Sequence, residues 1–159
     1  AANPNTATTQ TSSTKCSPRN PGHMMRQIHR GTYPTAWKEI RDAVRAEAGH
    51  VCVRCGSSHR PKDGYALTVH HLDCDKSNCR WWNLAALCQR CHLQIQGRVI
   101  LDRPWVLTEH TPWFRPYAAG FFAFKYLGED LTREESMARL DELLGLERAA
   151  VLGALVAAI

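Results

Sequence analysis

Two Cys-x-x-Cys pairs, Cys52/Cys55 in "CVRCG" and Cys88/Cys91 in "LCQRCH", are separated by 32 residues. Four thiolates on two tight turns are what a tetrahedral ion such as zinc requires, and four protein ligands leave no coordination position for a substrate. The pairs therefore predict a structural Zn2+ site that draws two distant turns together. The chain holds seven cysteines, an odd number, so a fully paired disulfide set is excluded. The N-terminus is polar with no apolar signal core, and no apolar run reaches the ~18 residues that cross a bilayer. These features predict a cytoplasmic protein whose thiols stay reduced and available to metal. Cys74 and Cys79 have a poorer spacing for the same ion, and Cys16 is assigned no role.

A length of 159 residues suits one domain with an appended element. The net charge of +5 divides unevenly, +9 over residues 1–128 and −4 over residues 129–159. A basic body of this kind favours a polyanionic partner such as nucleic acid. Residues 1–23 are rich in Ala, Asn, Thr, Ser and Pro without hydrophobic periodicity, which predicts a disordered tail over 1–33. A compact domain follows over 34–103, and a helical extension over 104–159.

The pattern predicts a helix over 34–49, with Trp37, Ile40, Val44 and Ala48 on one face, Thr35 as cap and Gly49 as stop. "HVCVRCG" reads as a short strand and knuckle. Tyr65, Leu67 and Val69 alternate in a strand over 65–72. A polar loop, "DCDKSNCRWWN", leads to a short strand at "LAAL" and a helix from Gln89 to Val99. Asp102 to Pro116 reads as irregular and 117–127 as helix. A last helix spans 131–145, with a Thr132/Glu135 capping box and Gly145 as its stop.

Three of the chain's eight histidines, His70, His71 and His92, stand in the same stretch as the second cysteine pair and are left over once the cysteines are committed to zinc. Adjacent helical residues point about 100° apart, so His92 cannot easily share the ion with Cys91, but it can reach the strand that ends in His70–His71. Neighbours on a strand face opposite ways. One of these two can therefore join His92 at a second metal, while the other stays unligated as a neutral imidazole able to take a proton from water. A metal with few protein ligands keeps positions open for substrate oxygen. Spacing alone does not say which histidine does which.

"CVRCG", "VHHLD", "NL" and "LCQRCH", in that order over about residues 50–100, resemble the HNH nuclease superfamily in its four-cysteine bacterial and bacteriophage form. The resemblance implies an α+β fold with a small ββα-metal (His-Me finger) core, braced by the four-cysteine zinc and flanked by helices. It implies that His70 and His92 hold the catalytic divalent ion, that His71 is the general base, and that Asn83 pins the loop that aims it. Asp73, Asp75 and Asn78 match loop-forming positions. The implied activity is metal-dependent endonucleolytic hydrolysis of DNA, leaving 5′-phosphate and 3′-hydroxyl ends. The catalytic ion would be Mg2+, Mn2+, Ni2+ or Zn2+. A phage DNA-packaging terminase is an implied partner.

Arg54, Arg60, Lys62, Lys76, Arg80, Arg90 and Arg98 lie in or beside the motif as expected phosphate contacts, which give affinity with little sequence information. Trp81 and Trp82 could stack on bases, but a small core claims at least one of them. The alternative reading is a non-catalytic, zinc-braced adaptor that only docks on nucleic acid. No membrane role is expected.

Overall fold

The computed structural model describes residues 31–96, 99, 101 and 111–157. Residues 1–30 of the tail expected over 1–33, with Cys16, the basic Arg98, and most of the irregular stretch from Asp102 lie outside these residues, while Gly31 and Tyr33 at the end of that tail are packed against Asp75, Ser77 and His71. Within them the chain is a mixture of helices and one small antiparallel sheet, an α+β arrangement.

The first helix, α1, spans Trp37–Glu47. Thr35 does not cap it: the residue before the helix is Ala36, without a side-chain cap bond, and the first turn is instead closed by Trp37 N–H donating to the Pro34 carbonyl at 3.0 Å. The expected stop holds. Gly49 has φ +61°, and its N–H donates to the Ala46 carbonyl at 2.9 Å. Val44 and Ala48 face the core. Arg45 crosses from α1 to donate to the Leu67 carbonyl at 2.6 Å, tying the helix to the start of the sheet.

The segment read as a strand around Val51 is a knuckle with a single bridge, Val51 to Ser58, because the turn needed by Cys52 and Cys55 bends the chain too soon for a ladder. Strand β1 (Leu67–His71) pairs with β2 (Leu84–Cys88) from Leu67 opposite Cys88 to His71 opposite Leu84. Every residue of β2 is buried, as its continuous apolar run requires. The chain turns straight from β2 into α2 (Gln89–Ile95), which ends one turn before the expected Val99. The Cys88 sulfur caps α2 by accepting from Cys91 N–H.

Helix α3 (Arg115–Phe122) continues into a π-helical turn over Ala123–Leu127. It lies on the 3₁₀ turn Trp81–Asn83 so closely that a Cβ on Gly120 would come within 2.5 Å of the Trp81 ring and 2.8 Å of the Trp82 Cβ. Trp82 is buried and Trp81 donates its indole N–H to the Leu131 carbonyl at 2.8 Å. Both tryptophans thus join the sheet to the C-terminal helices.

The last segment departs from expectation. The Thr132/Glu135 capping box is present and starts α4 (Arg133–Ala138). The helix breaks at Arg139, however, and α5 runs over Leu140–Ala157, straight through Gly145. Gly145 is helical because its neighbours are held: Leu143 packs with Ala119 and Ala123 of the α3 segment, with Leu144 and Leu146 against that cluster. Glycine stops a helix when the chain must enter the left-handed region, and packing removes that need here. Among the described residues no helix is long and apolar enough to cross a membrane.

Candidate metal centre and histidine cluster

The knuckle at Cys52/Cys55 and the β2–α2 turn at Cys88/Cys91 meet, and the four sulfurs all lie within 4.8 Å of one another. The Cys55 and Cys88 sulfurs are 3.8 Å apart. Sulfurs about 2.3 Å from a tetrahedral zinc would stand ~3.8 Å apart, so the set suits a structural metal such as zinc. Cys52, Cys88 and Cys91 are buried and Cys55 is exposed. Burial raises the Cys55 thiol, but hydrogen bonds with Ser57 and the neighbouring thiols outweigh it and hold it at about 6. Burial pushes Cys91 up to about 12, and it also raises Cys52. A bound cation would favour all four thiolates and displace their protons. Cys74 and Cys79 do not join this cluster.

A second grouping joins β1 to α2. Residues two apart on a strand share a face, so Thr68 and His70 both look toward α2, where His92 sits one turn in. His70 Nδ1 lies 3.0 Å from His92 Nε2. Two imidazole nitrogens on one ion, each ~2.0–2.1 Å from it, stand about 2.9–3.4 Å apart, and the pair fits that spacing. His92 Nδ1 is in turn 3.0 Å from the Thr68 hydroxyl oxygen. His70 is buried, only 2% exposed, and His92 is half-buried.

His71 faces the opposite way, as strand geometry dictates. Its ring centroid is 4.9 Å from that of Trp37 and 5.8 Å from that of Tyr33, and these two aromatic rings stack on each other at 4.8 Å. Lys76 sits above the Tyr33 ring, its Nζ 5.1 Å from the centroid. Gly31 lies against the Asp75 and Ser77 side chains, with no room for a Cβ. The strap before α1 therefore covers the histidine loop. Tyr33 and Trp37 lie outside the stretch of about residues 50–100 that carries the HNH-like pattern. The signal that could have found the contact is weak, an aromatic pair Tyr33/Trp37 at helical spacing.

Asn83 organises the loop between the strands. It is fully buried, and its Oδ1 accepts from Asp73 N–H at 2.8 Å. Its Nδ2 donates to Asp73 Oδ1 and to the Asn78 carbonyl, both at 2.8 Å. Asp73 also accepts from Asp75 N–H at 2.8 Å and from Asn78 Nδ2 at 2.6 Å. Burial, aided by Asp75, raises the Asp73 carboxyl above its usual range although these donors pull it down. Leu72 N–H donates to the Asn83 carbonyl at 2.9 Å, so the same asparagine closes the loop directly after His71.

The expected basic contacts divide by position. Arg60 and Arg90 both lie over the Tyr65 ring, their guanidinium carbons 4.8 and 4.6 Å from its centroid, with Lys62 exposed beside them. Arg54 pairs with Gln94. Arg80 is turned toward the C-terminal helices, 3.4 Å from Asp130 and over the Phe124 ring. Arg60, Lys62 and Arg90 are thus exposed near Tyr65, whereas Arg80, also exposed, is engaged with Asp130 and Phe124 after α3.

In comparison with known proteins, the chain matches no family model, no curated protein and no solved structure.

Proposed function

We propose that the chain is a metal-dependent DNA endonuclease of the HNH type, in which β1, β2 and α2 form a ββα-metal core around one catalytic divalent ion. The observation that carries the reading is the split of the adjacent histidines. His70 lies 3.0 Å from His92, at the spacing of a shared ion, while its neighbour His71 faces away from that pair. A module that only docks on nucleic acid has no use for such a division.

His70 and His92 would hold the ion through Nδ1 and Nε2. Bound there, a divalent ion such as Mg2+, Mn2+, Ni2+ or Zn2+ supplies positive charge for the scissile phosphate and the leaving 3′ oxygen. His71 accepts the proton of the attacking water as its neutral imidazole. Trp37 and Tyr33 restrict the tilt of that ring, and Asn83 restrains the backbone after it through the Asp73–Asn78 network. Arg60, Lys62 and Arg90 offer the phosphate backbone an exposed cationic group, and such contacts give salt-sensitive affinity with little sequence preference. The zinc site plays no part in the chemistry, because its four positions are filled.

A phage protein acting beside a DNA-packaging terminase is the setting that the resemblance to HNH nucleases supports. The reading is tested by incubating supercoiled plasmid with the zinc-loaded chain and added Mg2+, Mn2+ or Ni2+. Nicked or linear product that disappears with EDTA and returns on adding excess ion is the expected result. Intact plasmid under every ion, together with retained salt-sensitive DNA binding, would favour the adaptor.

A further inference from the structure

We propose that Thr68 is the positioning residue of the His70/His92 site: its hydroxyl holds His92 as the Nδ1–H tautomer, so that the Nε2 lone pair faces the position shared with His70. The inference rests on the metal reading of that histidine pair and adds a residue that the sequence pattern does not single out.

A threonine hydroxyl has one hydrogen and can accept through its lone pairs. Thr68 Oγ1 donates that hydrogen to the Leu87 carbonyl at 3.0 Å. The same oxygen is 3.0 Å from His92 Nδ1. With its hydrogen committed to Leu87, the oxygen presents only lone pairs to the imidazole. Nδ1 must then carry hydrogen and donate, since two lone pairs at that distance repel. A neutral imidazole has one N–H, so Nε2 is left as an acceptor, and Nε2 is the atom 3.0 Å from His70. A metal needs that lone pair, whereas the other tautomer would turn a hydrogen toward it.

The relay is built on rigid parts. Thr68 and Leu87 are register partners in the β1–β2 ladder, and Leu87 is fully buried. A β-branched side chain has restricted χ1 freedom. Strand pairing rather than a loop therefore fixes where the hydroxyl points. Partners that orient metal-bound histidines in this way typically change metal affinity ~10–100-fold when removed.

The test uses the full chain with its cysteine site loaded with zinc. Long-range proton–nitrogen correlation of the imidazoles at about pH 8, above the usual histidine range, reads the tautomer before any second ion is added. His92 should show a protonated Nδ1 and a bare Nε2. The opposite tautomer overturns the proposal, whatever the chain does to DNA. Thr68→Val keeps the branched shape and removes the hydroxyl, while Thr68→Ser restores it. Calorimetric titration with Mn2+ or Ni2+ should show Thr68→Val binding ~10–100-fold more weakly than the parent and Thr68→Ser within about threefold. Equal affinity in Thr68→Val and the parent sinks the role of Thr68 alone. A parent that binds no second ion sinks the metal reading of the pair, and the proposed role with it.

Discussion

Asn83 shows how much one buried amide can hold. Its three hydrogen bonds reach two residues of the loop, and none of its surface meets water. Asn83→Asp is nearly isosteric, yet it removes both N–H donors and sets a second carboxylate against Asp73. Leaving buried acceptors unmet costs about 1–3 kcal/mol each, more when a charge is involved, so a loss on the order of 3 kcal/mol is expected. Urea unfolding of the zinc-loaded protein measures it, and a loss below ~0.5 kcal/mol would mean that the network does not hold the loop. At this scale the sequence was informative about residue types and less so about partners. The histidine split followed from strand alternation alone. Thr68 was within reach of the same reasoning, standing two positions before His70 on the same face. The Asp73–Asn78–Asn83 network was not, because only the folded loop brings those atoms together.

The helices divide into those whose ends are chemical and those whose ends are set by packing. The capping box at Thr132 and the left-handed Gly49 were legible because each is a local hydrogen-bond solution. Gly145 misled because the same residue type sits inside α5, where contacts between Leu143 and the α3 segment override its preference. Two glycines should therefore respond in opposite ways to one methyl group. Gly145→Ala meets no atom within 4 Å and removes a flexible helical position, so it should stabilise by ~0.5–1 kcal/mol. Gly120→Ala drives a Cβ into Trp81 and should destabilise by ~1–3 kcal/mol while splaying α3 from the tryptophan turn. Thermal melts of the two variants decide it. A stabilised Gly120→Ala would contradict the close approach of α3, and a destabilised Gly145→Ala would contradict the continuous α5.

Among the described residues the four cysteines and the His70/His92 pair lie around one β2–α2 junction. The four-cysteine site joins the knuckle after α1 to the start of α2, so a metal bound there would close the core. Structural zinc contributes on the order of 10 kcal/mol of apparent binding free energy in small domains. Cys88→Ser should accordingly lose one zinc per chain and unfold the core, as read by metal analysis and circular dichroism, and a folded, zinc-free Cys88→Ser protein would refute the brace. The histidine group is the part that the proposed chemistry depends on, and its adjacent members should fail in different ways. The most direct measurement pairs calorimetric titration of the second ion with plasmid nicking for His70→Ala, His71→Ala and His92→Ala. His70→Ala and His92→Ala should lose ion affinity and cleavage together, with partial recovery in excess ion. His71→Ala should keep the ion and the DNA, yet cleave ~10²–10⁴-fold more slowly, the usual worth of a general base, with no rescue by added metal. Loss of the ion in His71→Ala with its retention in His70→Ala would reverse the assigned roles, and three variants that cleave like the parent would contradict the nuclease itself.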